Sequence, residues 1–348
     1  MSVREVIDAI VADSMERTKQ PGVLVQVTGP AGDHTAAYGK IAKSFPSGLF
    51  TKARPLGTDD HFRMGSITKS FVALATFRQI DAGKIALYHP LERYVPGIPN
   101  GNVITIADLL SMRSGVYSYT DDLLVKARLL LLPNLAYSTE QALDLVRRKG
   151  SQFAPNTRFA YTNSNALLIG AALEAVTGRK IADIVTDDVI RPLGLTHTAW
   201  PTGTALPGPA ASTLQVHPGL SGAAGALTTT LADLTRFLKA VWRGELLSDD
   251  SAEDWTQTFW GYASQKPGLT SSAGYGYFLT QFGEWIGHNG GIPGFTTAAL
   301  VNADNGATVV IAENTSNGEA TSLACTIGAE LYPGSLAEPE YSQGLYAA

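Results

Sequence analysis

Ser66 and Lys69 stand three residues apart at the head of an apolar run, and that pairing is suited to nucleophilic chemistry. On a helix this spacing stacks the two side chains on one face. The amine then reaches the serine oxygen and can take its proton. Phe71, Val72, Leu74, Ala75, Phe77 and Ile80 follow, enough apolar surface to bury such a helix. Burial in turn disfavours the charged form of the lysine. Gly65 permits a tight entry from the preceding strand. Ser66 is therefore expected near a helix N-terminus, where backbone N–H groups favour developing negative charge. A chain of this composition should hold about one Ser-x-x-Lys by chance, so the pair needs partners.

Two other segments offer them. In Tyr161-Thr162-Asn163-Ser164-Asn165, a phenol beside a cation can shuttle protons. Asn163 carries both a donor and an acceptor, which suits it to hold a substrate amide. The plainer alternative makes Tyr161 a packed aromatic and Asn163 or Asn165 a helix cap. In His288-Asn289-Gly290-Gly291, paired glycines at a strand edge allow close backbone approach by a ligand. A backbone N–H there, with that of Ser66, would form an oxyanion hole. The alternative is an ordinary connection between two strands.

The elements that must position these residues follow from periodicity and punctuation. An amphipathic helix opens the chain, with Val3, Val6, Ile7, Ile10 and Val11 on one face. Strand signals at 23–27 and 36–39 flank a Gly-Pro-Ala-Gly turn. The Ser66 helix ends near Gly83. Helices are predicted over 106–112, 139–149, 165–177, 181–190 and 231–242. Strands are predicted over 276–282, 284–287, 296–302 and 307–313, with a hairpin turn at Ala303-Asp304-Asn305-Gly306. A last helix covers 319–331. The fold class is accordingly α/β of the α+β type: an antiparallel sheet assembled from both chain ends and flanked by helices, with a mostly helical insertion. The expected division is 1–86 with 218–333 as the sheet subdomain carrying Ser66 and the His288 strand, 87–217 as the helical subdomain carrying Tyr161, and 334–348 as an extended tail.

Composition narrows the function classes. The 348 residues, 45% hydrophobic and 16% charged, can bury an ample core. A net charge of −5 without any basic run argues against nucleic acid as a partner. The single cysteine, Cys325, excludes an internal disulfide. The N-terminus lacks the basic start and continuous apolar run of a signal peptide, and no segment reaches the roughly 20 apolar residues of a membrane span. A cytoplasmic location is the expectation as written, with secretion the alternative if an export signal has been trimmed.

The three motifs, in this order, resemble the penicillin-recognising serine hydrolases: soluble DD-carboxypeptidases, class C β-lactamases and related esterases and D-amino-acid amidases. The similarity runs from about Val23 to Asn317 and includes Leu109 to Tyr119, Pro192 to Thr198 and Gly225 to Leu234. It implies the β-lactamase/transpeptidase-like fold, and Ser66 as a nucleophile that forms an acyl-enzyme. It implies Lys69 and Tyr161 as joint proton carriers, and Asn163 as the group orienting the acyl-side amide. His288 takes the place that class C enzymes fill with lysine, and Asn289, Gly290 and Gly291 complete the binding strand. No metal or organic cofactor is implied, and the partner is a small-molecule or peptide acyl donor: a β-lactam, a D-Ala-containing peptide or an ester.

The sequence departs from the DD-carboxypeptidase pattern where those enzymes hold a terminal carboxylate. Thr280 stands at the arginine position after the Tyr275-Gly276 strand start, and Asn289 and Gly291 stand where threonines would. Losing a charge-assisted contact weakens carboxylate binding by about 1.5–3 kcal/mol. The expected activity is serine acyl hydrolysis of amide, β-lactam or ester bonds. The alternatives are an esterase or D-amino-acid amidase on the same scaffold, and a penicillin-binding sensor that does not turn over. Arg113, Arg128 and Arg158 are candidate replacements for the missing arginine. Tyr117, Tyr119, Trp200, Trp255 and Trp260 are candidate pocket walls.

Overall fold

A computed structural model describes residues 1–44, 49, 51–261 and 273–336. Helix α1 (Val3–Thr18) starts at a Ser2–Glu5 capping box and buries Ile7 and Val11. Strands β1 (Gly22–Thr28) and β2 (His34–Gly39) form a hairpin. After the short β3 (Phe62–Arg63) and a 3₁₀ turn at Gly65–Ile67, the chain enters α2 (Thr68–Asp81). Every residue of α2 from Thr68 to Phe77 is buried, so this helix runs through the core.

The helical segment comprises α3 (Ile106–Leu110), α4 (Leu123–Leu131), α5 (Thr139–Lys149), α6 (Asn163–Thr177) and α7 (Ile181–Val185), the last running on as a wider π turn over Thr186–Ile190. Helix α6 starts two residues earlier than its periodicity predicts, because Thr162 is the cap and accepts from the Ser164 N–H. Then come β4 (Thr228–Thr229), paired with β3, followed by α8 (Leu231–Trp242) and α9 (Asp249–Gln257).

The remaining elements are β5 (Phe259–Gly261), β6 (Ala273–Gly276), β7 (Thr280–Phe282), β8 (Trp285–Ile292), β9 (Phe295–Asn302), β10 (Thr308–Glu313) and α10 (Ala320–Leu331). They complete an antiparallel sheet of eight strands among the described residues, in the order β2-β1-β10-β9-β8-β7-β6-β5. The first strand therefore pairs with the last, and the sheet is assembled from both chain ends, as the strand signals predict. One face of the sheet packs on α2, α8 and the helical segment, and the other on α1 and α10.

Two expectations need correction. The predicted strand 276–282 is two strands: Gly276 N–H bonds to the Leu279 carbonyl and Phe278 takes φ 54°, which reverses the chain between β6 and β7. The predicted strand 284–287 is longer: β8 continues through His288–Gly291, in register with β9 from Trp285↔Asn302 to Ile292↔Phe295. Of the expected tail, Ser335 folds back to accept the Trp285 indole N–H, while 337–348 lie outside the described residues.

Candidate active site

The 3₁₀ turn at Gly65–Ile67 presents Ser66, the one residue between His61 and Phe77 that is not buried. Gly65 adopts φ +56°, and a Cβ there would lie 3.0 Å from the Gly291 nitrogen. Both its dihedral and its close contact with β8 therefore call for glycine. A Cβ on Gly290 would lie 2.1 Å from the Met64 carbonyl oxygen, so β8 can approach the turn closely only with glycine at this position. Thr297 of β9 donates to that same carbonyl at 2.9 Å, pinning the strand pair to the turn.

Lys69 follows one helical turn after Ser66. Its Nζ lies 2.9 Å from Ser66 Oγ, 2.8 Å from Asn163 Oδ1 and 2.9 Å from the Ala224 carbonyl. The last two can only accept. A neutral amine directs its two protons to them, which leaves its lone pair aimed at the Ser66 hydroxyl. Complete burial pushes the Lys69 pKa well below that of a free lysine, because it disfavours the charged amine. Nζ also lies 5.0 Å from the centroid of the Tyr161 ring. Ser66, Lys69, Tyr161 and Asn163 are thus brought together from the Gly65–Ile67 turn, α2 and the approach to α6.

Asn163 is itself held. Its Nδ2 donates to Thr120 Oγ1 at 3.0 Å, and its backbone N–H donates to Ser118 Oγ. The Ser118-Tyr119-Thr120 segment therefore positions the asparagine that positions the lysine. Ser66, Tyr161 and Asn163 are all partly exposed, whereas their neighbours Ile67, Thr162 and Ser164 are buried. The opening to solvent lies over these three residues.

The pleat of β8 sends successive side chains to opposite faces of the sheet. His288 points into the site face, where its ring lies 6.3 Å from that of Tyr161. Asn289 points the other way and donates to Thr321 of α10 at 3.1 Å. Of β8, strand β7 covers only Trp285–Gly287, so β8 runs on past it to lie beside the Gly65–Ile67 turn. Gly291 is exposed there.

His288 is buried, and the partner that sequence reasoning missed is Tyr275 of β6, whose hydroxyl lies 2.9 Å from Nε2. On the other side of the ring, Nδ1 meets the Asn289 carbonyl, which can only accept. The proton therefore sits on Nδ1, and Nε2 accepts from Tyr275. Burial drives the imidazole pKa down to about 3, so His288 is neutral.

Thr280 occupies the position that an arginine fills in the DD-carboxypeptidase pattern. It is completely buried and donates its hydroxyl to the Gly287 carbonyl at 3.0 Å. Arg113 is buried beside Asp108. Arg128 donates to the Ala136 carbonyl, and Arg158 lies over the Phe153 ring at 4.5 Å. Arg63, two residues before the Gly65–Ile67 turn, is buried and donates to the Thr204 carbonyl. Burial lowers its pKa to about 10.

Of the aromatic candidates, Tyr119 is buried and donates to the Leu220 carbonyl, and Trp255 is buried and donates to the Tyr277 carbonyl. Tyr117 and Trp200 are half-buried. The Trp260 side chain lies outside the described residues.

Comparison with known proteins identifies the family. The Beta-lactamase family model matches residues 7–329. A penicillin-binding protein of Bacillus subtilis (strain 168) is 24% identical over 300 residues, covering 78% of this chain and 64% of its own length. Esterase EstB of Burkholderia gladioli is 31% identical over 179 residues, 46% of this chain and 44% of its own. The chain thus spans less than two thirds of the length of either relative. Among solved structures, a D-stereospecific amidohydrolase from Streptomyces sp. superposes with a TM-score of 0.80 at 28% identity, covering 94% of this chain and 97% of its own. The chain belongs to the β-lactamase family of serine hydrolases.

Proposed function

We propose that the protein is a serine acyl hydrolase that works through a Ser66 acyl-enzyme and prefers amides or esters whose leaving group lacks a carboxylate. The observation that carries this reading is the Lys69 amine held between Ser66 Oγ and two pure acceptors. The neutral amine takes the Ser66 proton as Oγ bonds to the substrate carbonyl carbon. The carbonyl oxygen becomes an oxyanion facing the N–H groups of Ser66 and Gly291. Collapse breaks the bond to the leaving amine or alcohol, which receives the proton through Lys69 and Tyr161. Water then attacks the ester, gives a proton to the same groups and releases the acid, restoring the Ser66 hydroxyl.

The leaving-group preference rests on Thr280. A buried hydroxyl already bonded to Gly287 offers a terminal carboxylate neither charge nor a free proton. Asn289, turned toward α10, is also unavailable to it. The similarity to a D-stereospecific amidohydrolase over nearly the whole of both chains supports an amide as the bond cleaved.

The test is a panel of a D-amino-acid amide, an activated ester, a D-Ala-D-Ala peptide and a β-lactam. Product release and intact mass are followed for the wild type and Ser66→Ala. Turnover of amide and ester well above that of the carboxylate-bearing pair, lost in Ser66→Ala, is the expected result. A stable β-lactam adduct with no turnover of any substrate would make the protein a sensor instead. Unchanged activity in Ser66→Ala would remove the assignment.

A further inference from the structure

Helix α4 carries leucines that the acyl chemistry does not use. Leu123 and Leu124 are each 82% exposed, and Leu130 and Leu131 are 79% and 76% exposed. Val125 is the only buried residue of the helix. Leu132 and Leu135, just beyond, are exposed as well. An apolar surface this concentrated marks an interaction site rather than ordinary scatter.

The arrangement around the helix axis says more. At 3.6 residues per turn, Leu123, Leu124, Ala127, Leu130 and Leu131 fill one contiguous face. Lys126 borders that face on one side and Arg128 on the other, while Val125 and Leu129 face the protein. Arg128 donates to the Ala136 carbonyl and its guanidinium lies 5.8 Å from the Tyr137 ring centroid, folding the Leu132–Leu135 segment back beside the helix. Arg148 acts electrostatically on the same tyrosine. Lys149 pairs at 3.2 Å with Asp122, the N-cap of α4. Residues 121–158 hold six basic and four acidic side chains, a net +2 in a chain whose total is −5. An apolar face edged by long cations is the pattern of a helix that lies in a membrane interface, stems in the apolar layer and charges at the phosphates.

We propose that α4 docks the protein on an anionic bilayer surface, with Leu123, Leu124, Leu130 and Leu131 inserted and Lys126, Arg128, Arg148 and Lys149 at the headgroups. Nine residues are too few to span. A second copy is disfavoured, because a two-fold contact would set the same cations against each other. A substrate acyl chain is disfavoured by shape, since the face is the convex side of a helix and ligand sites are concave. Helix α4 begins three residues after Thr120, which holds the Asn163 amide, so docking brings the Ser66 site alongside the surface.

Vesicle flotation tests this without any assumption about the reaction. Vesicles of equal phosphatidylcholine and phosphatidylglycerol are compared with pure phosphatidylcholine, at low and high salt. The wild type should float with the anionic vesicles and be released by salt. Leu123→Glu/Leu130→Glu/Leu131→Glu should lower the partition coefficient by at least about tenfold, and Lys126→Glu/Arg148→Glu should abolish the anionic preference. Unchanged thermal unfolding would show that the variants remain folded. Absence of wild-type binding to anionic vesicles overturns the proposal, as does binding that the triple leucine variant leaves intact. A dimer in sedimentation velocity without vesicles, broken by the triple variant, would assign the face to a second copy and overturn it equally.

Discussion

Around Lys69, Asn163 Oδ1 and the Ala224 carbonyl decide which way the amine points its lone pair. Removing the base should therefore remove catalysis while leaving the fold: Lys69→Met is expected to lower kcat by about 10²–10⁴-fold with no loss of thermal stability. Lys69→Arg should be equally inactive, because a guanidinium does not give up its proton. In the wild type, kcat/KM for an uncharged ester should fall as pH drops through the lowered Lys69 pKa. His288 makes a different prediction. Its folded pKa of about 3 lies below the value near 6.5 of an unfolded histidine. The unfolded chain therefore takes up a proton first as pH falls, and stability is lost progressively from about pH 6.5 downward. The loss is read as the difference between urea titrations of the wild type and of His288→Gln, which should widen in the variant's favour as pH falls from 7 to 4. Ser66, Lys69, Tyr161, Asn163 and His288 were legible in the sequence because each belongs to a short motif. Ala224 was not, since it acts through a carbonyl that any residue supplies. Tyr275 was not, because its bond to His288 crosses two turns of the sheet.

The turn carrying Ser66 and the strand carrying Gly291 are separate elements that must touch, and glycine is what lets them. Gly290→Ala would set a methyl 2.1 Å from the Met64 carbonyl and 2.4 Å from Thr297 Oγ1. The strand must then move off the turn, taking the Gly291 N–H with it. The expected result is a loss of about 10²-fold or more in kcat/KM, seen with the same ester panel. Periodicity located helices 139–149 and 231–242 with the observed ends, because α5 and α8 alternate buried and exposed residues regularly. It merged β6 with β7 because Tyr277, Phe278 and Leu279 are all good strand residues. What turns the chain there is tertiary: Ser70 donates to the Phe278 carbonyl, Trp255 to the Tyr277 carbonyl, and Phe278 N–H to the Leu110 carbonyl. Those partners lie far away in sequence, so no local pattern announces the turn.

At the scale of the whole molecule, the sheet closes only when the first strand meets the last. Val23 pairs with Glu313, and Arg17 of α1 reaches Glu319 at 2.9 Å beside the start of α10. Asn314 ties the seam to the Lys40 and Ala211 carbonyls. Glu313 sits in this seam with a completely buried side chain. Neither carboxyl oxygen has a well-formed hydrogen bond, although Gln20 and the N–H groups of Glu319 and Ala320 lie near enough to temper the effect of burial. Burial nevertheless raises its pKa from 4.5 to about 7. The folded state thus holds a proton that the unfolded chain releases near pH 4.5. The associated stability is complete below that pH and is lost as pH rises through 7, by about 3 kcal/mol in all. Its sign is opposite to that of His288, so the two together confine maximal stability to mildly acidic pH. Glu313→Gln keeps the shape and removes the ionisation. It should leave the unfolding free energy nearly unchanged at pH 4.5 and raise it at pH 8 by up to that amount, measured by urea denaturation at both values. An increase of equal size at both pH values would mean that the substituted amide gains from better hydrogen bonding, and that ionisation of the seam carboxyl contributes nothing.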